Sequence, residues 1–313
     1  MKTSNSKISL LVLAAVILMT GIFVSCSKKS SGPSGPTAPS NPGGYDSSAQ
    51  IQSGALVAFW PFNNSLNDAK GMAATNAGVT FASGMNGKMA YQGGTTPTYA
   101  LYTTSSSVKA MTSFTVSFWI NTPQVVNYPQ AILQLSNATQ YWPELDIDLE
   151  NYTATSDSLK IKMYMENYAN NVWTVAPTAF MDTAVSKWVQ FVVTYNATAG
   201  SVTMYQNGTS IAFGYPYSPT GGTVGPVPFY VSDPGSLSNT NGAKLWGNAD
   251  FTESASLVIG AWQGKTNPAL NPGQGSDVWN ASYSGLMQNL RIYNTALNSS
   301  DVKSLYILES GGF

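Results

Sequence analysis

The sequence predicts an all-β domain in which two antiparallel sheets pack face to face. Apolar and polar residues alternate with a period of two through residues 114–120 and 159–166, as expected for strands with one buried face. Asn207 and Gly208 separate two further β-rich segments, and this pair is the strongest short-range signal for a hairpin with a primed turn. Many short strands joined by Gly- and Asn-rich turns are typical of a two-sheet sandwich.

The N-terminus, residues 1–25, is predicted to be an export signal. Lys2 and Lys7 form a basic start, residues 8–24 are almost entirely apolar, and a small residue precedes Cys26. Residues 23–26 (Phe-Val-Ser-Cys) resemble a bacterial lipoprotein processing box, which implies cleavage before Cys26 and a lipid on its new N-terminus. The alternative is a transmembrane anchor, since the apolar run approaches the lower length limit of a span. Cys26 is the only cysteine of the chain, so disulfides cannot stabilise the exported protein.

Residues 26–52 are predicted to be a lipidated flexible linker. The run 30–39 consists of Ser, Gly, Pro, Thr and Ala, and it offers too little apolar surface to fold. Such a segment behaves as a semi-extended spacer. The remaining residues, 53–313, suit one large all-β domain.

Composition excludes several classes of function. The chain is 43% hydrophobic and only 9% charged, and its net charge of -1 gives no electrostatic basis for binding nucleic acid. It contains no histidine, which removes Ser-His-Asp triads, histidine zinc sites and histidine general bases. Its polarity comes from Asn, Thr, Ser, Gln and Tyr, whose side chains hydrogen-bond neutral ligands.

Four segments carry a resemblance to a known family. They are GALVAFWPF (54–62), SFTVSFWI (113–120), WVQFVVTY (188–195) and GLMQNLRIY (285–293). In this order they resemble the landmarks of the bacterial laminin-G-like, concanavalin A-type jelly-roll family over nearly all of residues 53–313. The resemblance implies a sugar- or ligand-binding module more often than an enzyme.

The same resemblance implies roles for several residues outside any binding site. Trp60, Trp119 and Trp188 fall in the family's strand landmarks and are expected to be packed. A short helix is expected to close the domain at the C-terminus, where Asn298 is a good N-cap and Asp301 approximates the acidic position of a capping box.

Residues 214–254 break the strand pattern with a run rich in Pro, Gly, Ser and Asn. A stretch of this length predicts a functional loop or a mobile insertion. Its aromatic residues allow a binding lid, and the alternative is a surface insertion packed by its own side chains. These aromatics are Tyr215, Tyr217, Phe229, Tyr230 and Trp246.

The sharpest local pattern is YWPELDIDLE at residues 141–150. On a strand, its three aliphatic residues point into the core and its acids share the opposite face at about 7 Å spacing, twice the rise per residue. Such a row of carboxylates persists when it is solvated, paired with basic side chains or bridged by a cation. The acids are Glu144, Asp146, Asp148 and Glu150.

Three hypotheses compete for this strand. Residues 146–150 resemble the Glu-x-Asp-x-Glu motif of laminarinase- and lichenase-type β-glucanases, which implies a glycoside hydrolase using Asp146 and Glu150. Here the leading Glu is replaced by the shorter Asp, and a misplacement near 1 Å can remove on the order of 100-fold in rate. The second hypothesis is ligand binding, in which carboxylates accept hydrogen bonds from sugar hydroxyls and aromatic rings stack on pyranose faces. The third is an ordinary solvated outer face. The predicted ligand-binding residues are Tyr141, Trp142, Glu144, Asp146, Asp148, Tyr168 and Trp173.

Calcium is the cofactor that the resemblance implies, because many relatives hold a structural Ca²⁺ between the loop after the first strand and the last strand. Asp68 matches the loop, but the last strand carries Gln288 where relatives have acids. Fewer charged ligands mean weaker calcium binding. Asp68 and Gln288 are therefore the predicted ligands of a weakened or empty site.

Together these features predict a lipoprotein of the bacterial outer membrane, facing either the periplasm or the exterior. Its expected partner is a polysaccharide or glycoconjugate, for surface glycan capture or adhesion. The membrane is contacted through the lipid on Cys26, and no nucleic acid is expected to bind.

Overall fold

The computed structural model describes residues 36–151, 157–167, 172–214, 222–232, 240–271, 273 and 277–313. Within this part of the chain, Ala38–Phe313 form one compact unit. The unit consists of two large antiparallel sheets, with two helices and three short 3-10 turns among the described residues.

The first sheet contains nine strands in the described part of the chain, and its central path runs β14-β13-β12-β6-β22-β4-β3, with β1 paired to β22 and β17 to β13. These strands are β1 (Leu56–Trp60), β3 (Thr80–Ser83), β4 (Met89–Gln92), β6 (Phe114–Asn121), β12 (Val189–Asn196), β13 (Ser201–Gln206), β14 (Thr209–Ser210), β17 (Val227–Pro228) and β22 (Leu286–Tyr293).

The second sheet contains thirteen strands among the described residues, with the central path β16-β15-β11-β9-β8-β7-β20-β5-β2. These strands are β2 (Ala74–Ala77), β5 (Tyr99–Thr103), β7 (Gln130–Leu135), β8 (Leu145–Glu150), β9 (Leu159–Asn167), β10 (Val172–Thr174), β11 (Thr178–Met181), β15 (Ala212–Gly214), β16 (Thr223–Val224), β18 (Tyr230–Ser232), β19 (Thr240–Leu245), β20 (Ser256–Ile259) and β21 (Ala281–Ser282).

The core lies between the two sheets and is built from the apolar side of each alternating strand. Phe118 of β6 meets Phe191 of β12 with ring centroids 5.5 Å apart, and Ile147 and Met163 of the facing sheet are fully buried in the same cluster. All four segments that carry the family resemblance form strands of the first sheet, so the predicted two-sheet sandwich is confirmed.

The polar side of β6 is also buried, which its alternation alone did not predict. Thr115, Ser117 and Trp119 are covered because the C-terminal helix lies over this face of the first sheet. Trp119 stacks on Tyr306 of that helix, with centroids 5.6 Å apart and an interplanar angle of 18°. The expectation that Trp60 and Trp119 are packed is confirmed, whereas Trp188 is half-buried.

The closing helix forms as predicted. The second helix, α2, spans Ser299–Gly311, while the first, α1, is the four-residue Ser106–Lys109. Asn298 caps α2, and its side chain accepts a hydrogen bond of 2.9 Å from the Asp301 N–H. Neither described helix is long and apolar enough to cross a membrane.

Residues 38–52, predicted to belong to a flexible linker, instead pack against α2. The Tyr45 hydroxyl donates to Asp301 Oδ1 at 2.7 Å, the Gly43 N–H donates to Ser304 Oγ at 2.9 Å, and Ile51 is fully buried beside Leu308. The prediction was wrong here because the few apolar and aromatic residues of this segment find a partner surface only in the folded domain. The compact unit therefore begins at Ala38 instead of residue 53.

The predicted hairpin is confirmed, and the segment that follows it is more structured than expected. Asn207 and Gly208 both have positive φ (51° and 71°), as a type I′ turn requires, and they join β13 to β14. In the segment 214–254, Phe229 and Trp246 pack in the main core with centroids 5.9 Å apart. Tyr215 and Tyr217 lie outside the described residues.

Candidate functional site

Strand β8 carries the predicted carboxylate row in the middle of the second sheet. Asp146 pairs with Gln134 of β7 and Tyr164 of β9, and Asp148 pairs with Lys162. Residues opposite one another in antiparallel strands share a face, so this pairing confirms that the acids lie on one side. This surface is here called the acidic face. It consists of Glu144, Asp146, Asp148, Glu150, Lys162 and Glu166.

The acidic face is covered, contrary to the hypothesis of a solvated surface. Asp146 and Asp148 are 1% and 0% exposed, and Glu144 is 2% exposed. The chain around Gln263 lies over them, because its N–H donates to Gln134 Oε1 at 2.7 Å and its amide nitrogen donates to the Tyr141 carbonyl at 3.0 Å. In this structure the three carboxylates therefore have no surface open to a ligand.

Lys162 is the cation at the centre of the acidic face. Its Nζ lies 3.1 Å from Asp148 Oδ2 and 2.5 Å from Glu150 Oε1. Burial by itself lowers the pKa of Lys162, but attraction by Asp148, Glu150 and Asp146 outweighs burial and raises the pKa above its ordinary value. The ammonium group is therefore held in its charged form.

Asp146 and Asp148 behave as a coupled pair. Burial raises the pKa of both groups, attraction by Lys162 lowers it, and repulsion between the carboxylates adds to the rise at Asp148. Gln134 Nε2 also donates to Asp146 Oδ1 at 2.9 Å. The raised pKa values favour the protonated form of these carboxyls, which reduces the negative charge that Lys162 must balance.

Glu144 and Glu166 extend the acidic face toward one end of β8 and β9. Burial, together with repulsion from Glu253 and Asp250, raises the pKa of Glu144 to about 8, and burial raises the pKa of Glu166 to about 9. The Tyr164 hydroxyl donates to Glu166. Both carboxyls are therefore largely protonated at neutral pH.

Above the acidic face lies a group of aromatic side chains that reach the surface. Tyr141 is 39% exposed, Trp142 and Trp279 are half-buried, and Trp262 is fully buried beneath them. Ring centroids are 5.0 Å apart for Tyr141 and Trp142, 5.7 Å for Trp142 and Trp279, and 4.9 Å for Trp262 and Trp279. Tyr141, Trp142 and Trp279 are here called the aromatic patch.

Hydrogen bonds fix the aromatic patch in place. The Tyr141 hydroxyl donates to Asp277 Oδ2 at 2.7 Å and accepts from Trp279 Nε1 at 3.2 Å. The Lys265 ammonium group donates to the Asp277 carbonyl. A surface whose rings are already ordered loses little side-chain entropy when a ligand binds.

Trp279 is the patch residue that sequence reasoning missed. It follows a stretch rich in Pro, Gly and Ser, where no strand period indicates the direction of a side chain. Of the other predicted ligand-binding residues, Tyr168 lies outside the described residues, and Trp173 lies in β10 with a side chain that is not described. Cys26, the predicted lipidation site, also lies outside the described residues.

The predicted calcium ligands each hold a turn. Asp68 Oδ1 accepts from the backbone N–H of Phe59 at 2.7 Å and of Lys70 at 3.0 Å, and Oδ2 accepts from Met72 at 3.2 Å. Gln288 Oε1 accepts from the Met85 N–H at 2.9 Å. Donors aimed at these oxygens disfavour a cation there, so the residues do not fit a calcium site centred on Asp68. The described part of the chain contains no cluster of three or more His, Cys, Asp or Glu side chains suited to a metal. Calcium binding by the protein stays a prediction.

Hydrolysis by Asp146 and Glu150 requires both carboxyls to reach a substrate. Asp146 is enclosed, whereas Glu150 is partly exposed and paired with Lys162. A glycosidase needs its two carboxyls on either side of the scissile bond. The described geometry therefore favours the aromatic patch over the carboxylate row as the place where a ligand makes contact.

Comparison with known proteins agrees with this fold. Residues 93–243 match the family model described as the concanavalin A-like lectin/glucanases superfamily. This match covers just under half of the chain and includes strands of both sheets, so it supports the predicted resemblance to this superfamily. No curated protein matches the chain.

Solved structures resemble the chain at low sequence identity. The binding domain of botulinum neurotoxin serotype C1 superposes with a TM-score of 0.50 at 15% identity, covering 82% of this chain and 52% of that one. The serotype D ligand binding domain in complex with N-acetylneuraminic acid gives 0.50 at 12%, covering 83% and 52%. Domain 4 of AbnA, a GH43 extracellular arabinanase from Geobacillus stearothermophilus in complex with arabinotriose, gives 0.47 at 16%, covering 80% and 97%. The chain spans about half the length of the two neurotoxin chains. At these identities the comparison shows the fold alone.

Proposed function

We propose that this protein is a membrane-anchored lipoprotein whose jelly-roll domain binds carbohydrate through the aromatic patch. The observation that carries the proposal is the gathering of Tyr141, Trp142 and Trp279 at the surface, with ring centroids 5.0 to 5.7 Å apart for neighbouring rings. The apolar face of a pyranose packs against such rings, and an adjoining Asp277 offers acceptor oxygens to its hydroxyls.

The acidic face has a supporting role in this proposal. Trp142 packs edge-on against Tyr164 at 5.8 Å, and Tyr164 lies opposite Asp146 on the neighbouring strand. The buried network therefore supports the ring of Trp142 from below. In this role the predicted ligand-binding residues Glu144, Asp146 and Asp148 position the patch instead of contacting the sugar.

The concanavalin A-like fold supports carbohydrate binding as a general class of function. A structural neighbour with this fold, the serotype D domain, is in complex with N-acetylneuraminic acid. Its identity to this chain is 12%, so the support extends to a glycan-binding fold and to no particular sugar.

Anchoring follows from the lipoprotein box that ends at Cys26. The compact unit begins at Ala38, so the spacer of the proposed lipoprotein comprises residues 27–37. A Cys26→Ala variant is expected to lose incorporation of labelled fatty acid and to move from the detergent phase to the aqueous phase. Equal partitioning of both forms would contradict anchoring by lipid.

The binding proposal is tested by affinity electrophoresis of the full chain in mild detergent. Native gels contain plant, algal or host polysaccharides, with and without calcium. We expect retardation by at least one polysaccharide, and loss of most of that retardation in Trp142→Ala and Trp279→Ala. The matched control is Trp188→Ala, which removes a half-buried Trp next to β12 in the other sheet.

Two results would contradict this proposal. Uniform mobility across the panel would favour a protein-adhesion function. Release of reducing sugar that disappears in Asp146→Asn would establish hydrolysis and show that the acidic face opens to substrate. The comparison of gels with and without calcium tests whether binding requires this ion.

A further inference from the structure

A second candidate site lies apart from the aromatic patch, in a cavity of about 670 Å³. Three segments of the described chain form its walls: the end of α1 with the residues that follow it, the end of β9, and residues 244–252, which include the end of β19. Its volume falls in the range of about 300–1,000 Å³ that is usual for small-molecule sites. No residue of the aromatic patch lines it.

The walls are tied to one another by hydrogen bonds. The Ala249 N–H donates to the Thr112 carbonyl at 2.9 Å, which joins the loop after β19 to the segment after α1. Asn167 Nδ2 donates to Asp250 Oδ2 at 3.4 Å, which joins β9 to the same loop. The cavity is therefore a built feature of the fold and not an accidental gap between surface chains.

The charges on the walls favour an anion. Lys109 and Lys244 line the cavity, and neither forms an ion pair with another described residue. Asp250 is the acid among the described lining residues. Its Oδ1 accepts from the Thr252 N–H at 3.1 Å and from Thr252 Oγ1 at 2.6 Å, in addition to the bond from Asn167. These donors stabilise the Asp250 carboxylate. Among the described residues neither ammonium group forms an ion pair, so two cations and one anion leave the lining with an excess of one positive charge.

The wall also offers groups that suit a sugar ring. Trp246 lines the cavity and is 9% exposed. Asn248 and Thr112 add an amide and a hydroxyl on the same walls.

We infer that this cavity binds an acidic sugar, a hexuronic acid residue whose carboxylate lies between Lys109 and Lys244. The ring hydroxyls bond to the side chains of Asn248 and Thr112, and the sugar packs toward Trp246. The inference goes beyond the proposed function, since it assigns a second site with its own ligand class.

The experiment is a titration of the full chain, in mild detergent, with sodium galacturonate and sodium glucuronate, followed by calorimetry or ligand-observed NMR. Galactose and glucose are the neutral analogues. We expect a uronate to bind about 10-fold more tightly than its neutral analogue, because each exposed ion pair contributes roughly 2- to 5-fold. Raising sodium chloride from low to high concentration is expected to weaken uronate binding and leave the neutral analogue unchanged.

Variants of the two lysines test whether the uronate binds in this cavity. Lys109→Gln and Lys244→Gln are each expected to weaken uronate binding about 3-fold, and the double variant about 10-fold. Lys88→Gln, an exposed lysine in the turn before β4, is the matched control and is expected to have no effect. Trp142→Ala is expected to leave uronate binding intact, which separates this site from the aromatic patch.

Four outcomes would overturn the inference. They are equal affinity for acidic and neutral sugars, no binding of either uronate, an effect of Lys88→Gln as large as that of Lys109→Gln, and loss of uronate binding in Trp142→Ala. The last result would place the ligand on the aromatic patch and would leave the proposed function standing.

Discussion

Two buried ion-pair sites in this protein, one around Arg291 and one around Lys162, differ in how their charges are compensated. Arg291 of β22 donates to Glu309 of α2 at 2.8 Å, and both side chains are nearly enclosed. Lys162 of β9 meets Asp148 and Glu150 of β8, with Asp146 beside them. The first site has one cation for one acid, whereas the second has one cation for three acids.

The surroundings of the two pairs follow from this difference. Glu309 also accepts from Trp119 Nε1 at 2.7 Å and Gln190 Nε2 at 3.2 Å, and Arg291 lies over the Phe59 ring at 3.8 Å. This pair clamps α2 onto the first sheet. The acidic face of the second sheet compensates its excess charge with protons, so its energy depends on pH. A buried ion pair with balanced charges holds two elements together, whereas one with excess carboxylates also makes the stability of the fold depend on pH.

The largest predicted effect is at the clamp. Arg291→Met leaves Glu309 buried without its cation, and we expect a loss of about 3–5 kcal/mol in the free energy of unfolding. For a domain of this size the melting temperature falls by about 10 °C. Arg291→Met combined with Glu309→Leu removes both charges and is expected to recover most of the loss. Thermal unfolding of the three proteins measures this, and equal destabilisation of the single and double variants would show that the clamp is not an ion-pair effect.

A smaller effect is predicted for the acidic face, and it depends on pH. Between the ordinary carboxyl pKa of 4.5 and the raised values of about 8 and 9, folded Glu144 and Glu166 keep protons that the unfolded chain releases. The folded state binds more protons in this window, so the free energy of unfolding falls as pH rises. We therefore expect the melting temperature to be lower at pH 8.5 than at pH 5.5.

Variants test whether these two carboxyls cause the slope. Glu144→Gln with Glu166→Gln removes the titrating groups and is expected to flatten the dependence of melting temperature on pH. Asp46→Asn, which changes an exposed acid of the N-terminal segment, is the control and is expected to keep the wild-type slope. A slope unchanged in the double variant would assign the pH dependence to other groups.

The smallest predicted effect tests whether residues 38–52 belong to the clamp. Ser48 Oγ accepts from Arg291 Nη2 at 3.1 Å and donates to the Phe313 carbonyl at 2.8 Å. Ser48→Ala is expected to cost about 1 kcal/mol, the net value of a typical hydrogen bond, and to lower the melting temperature by about 3 °C. Ser47→Ala, at the half-buried neighbouring position, serves as the control. An unchanged melting temperature in Ser48→Ala would show that the N-terminal segment rests on α2 without strengthening the clamp.

Local pattern alone predicted much of the fold. Alternation located β6 and β9, the Asn207-Gly208 pair located its hairpin, and Asn298 located the start of α2. These features depend on neighbours along the chain: side-chain period, turn dihedral angles and a cap two to three residues from its donor. Such interactions can be predicted from the sequence because both partners lie within a few residues of each other along the chain.

The sequence also determined that the four acids of β8 share one face, but only the tertiary structure decided what covers that face. Gln263 and Trp279 are more than 100 positions away along the chain from Asp146, yet they lie over or near it in the folded protein. Burial there turns a row of acids that could have been solvated into a network of protonated carboxyls. Residues 38–52 show the same limit. Their composition predicts a flexible linker, but in the folded protein they pack against the surface of α2. Burial is a property of contacts between distant segments, and burial decides which carboxylates are charged and which aromatic rings can meet a ligand.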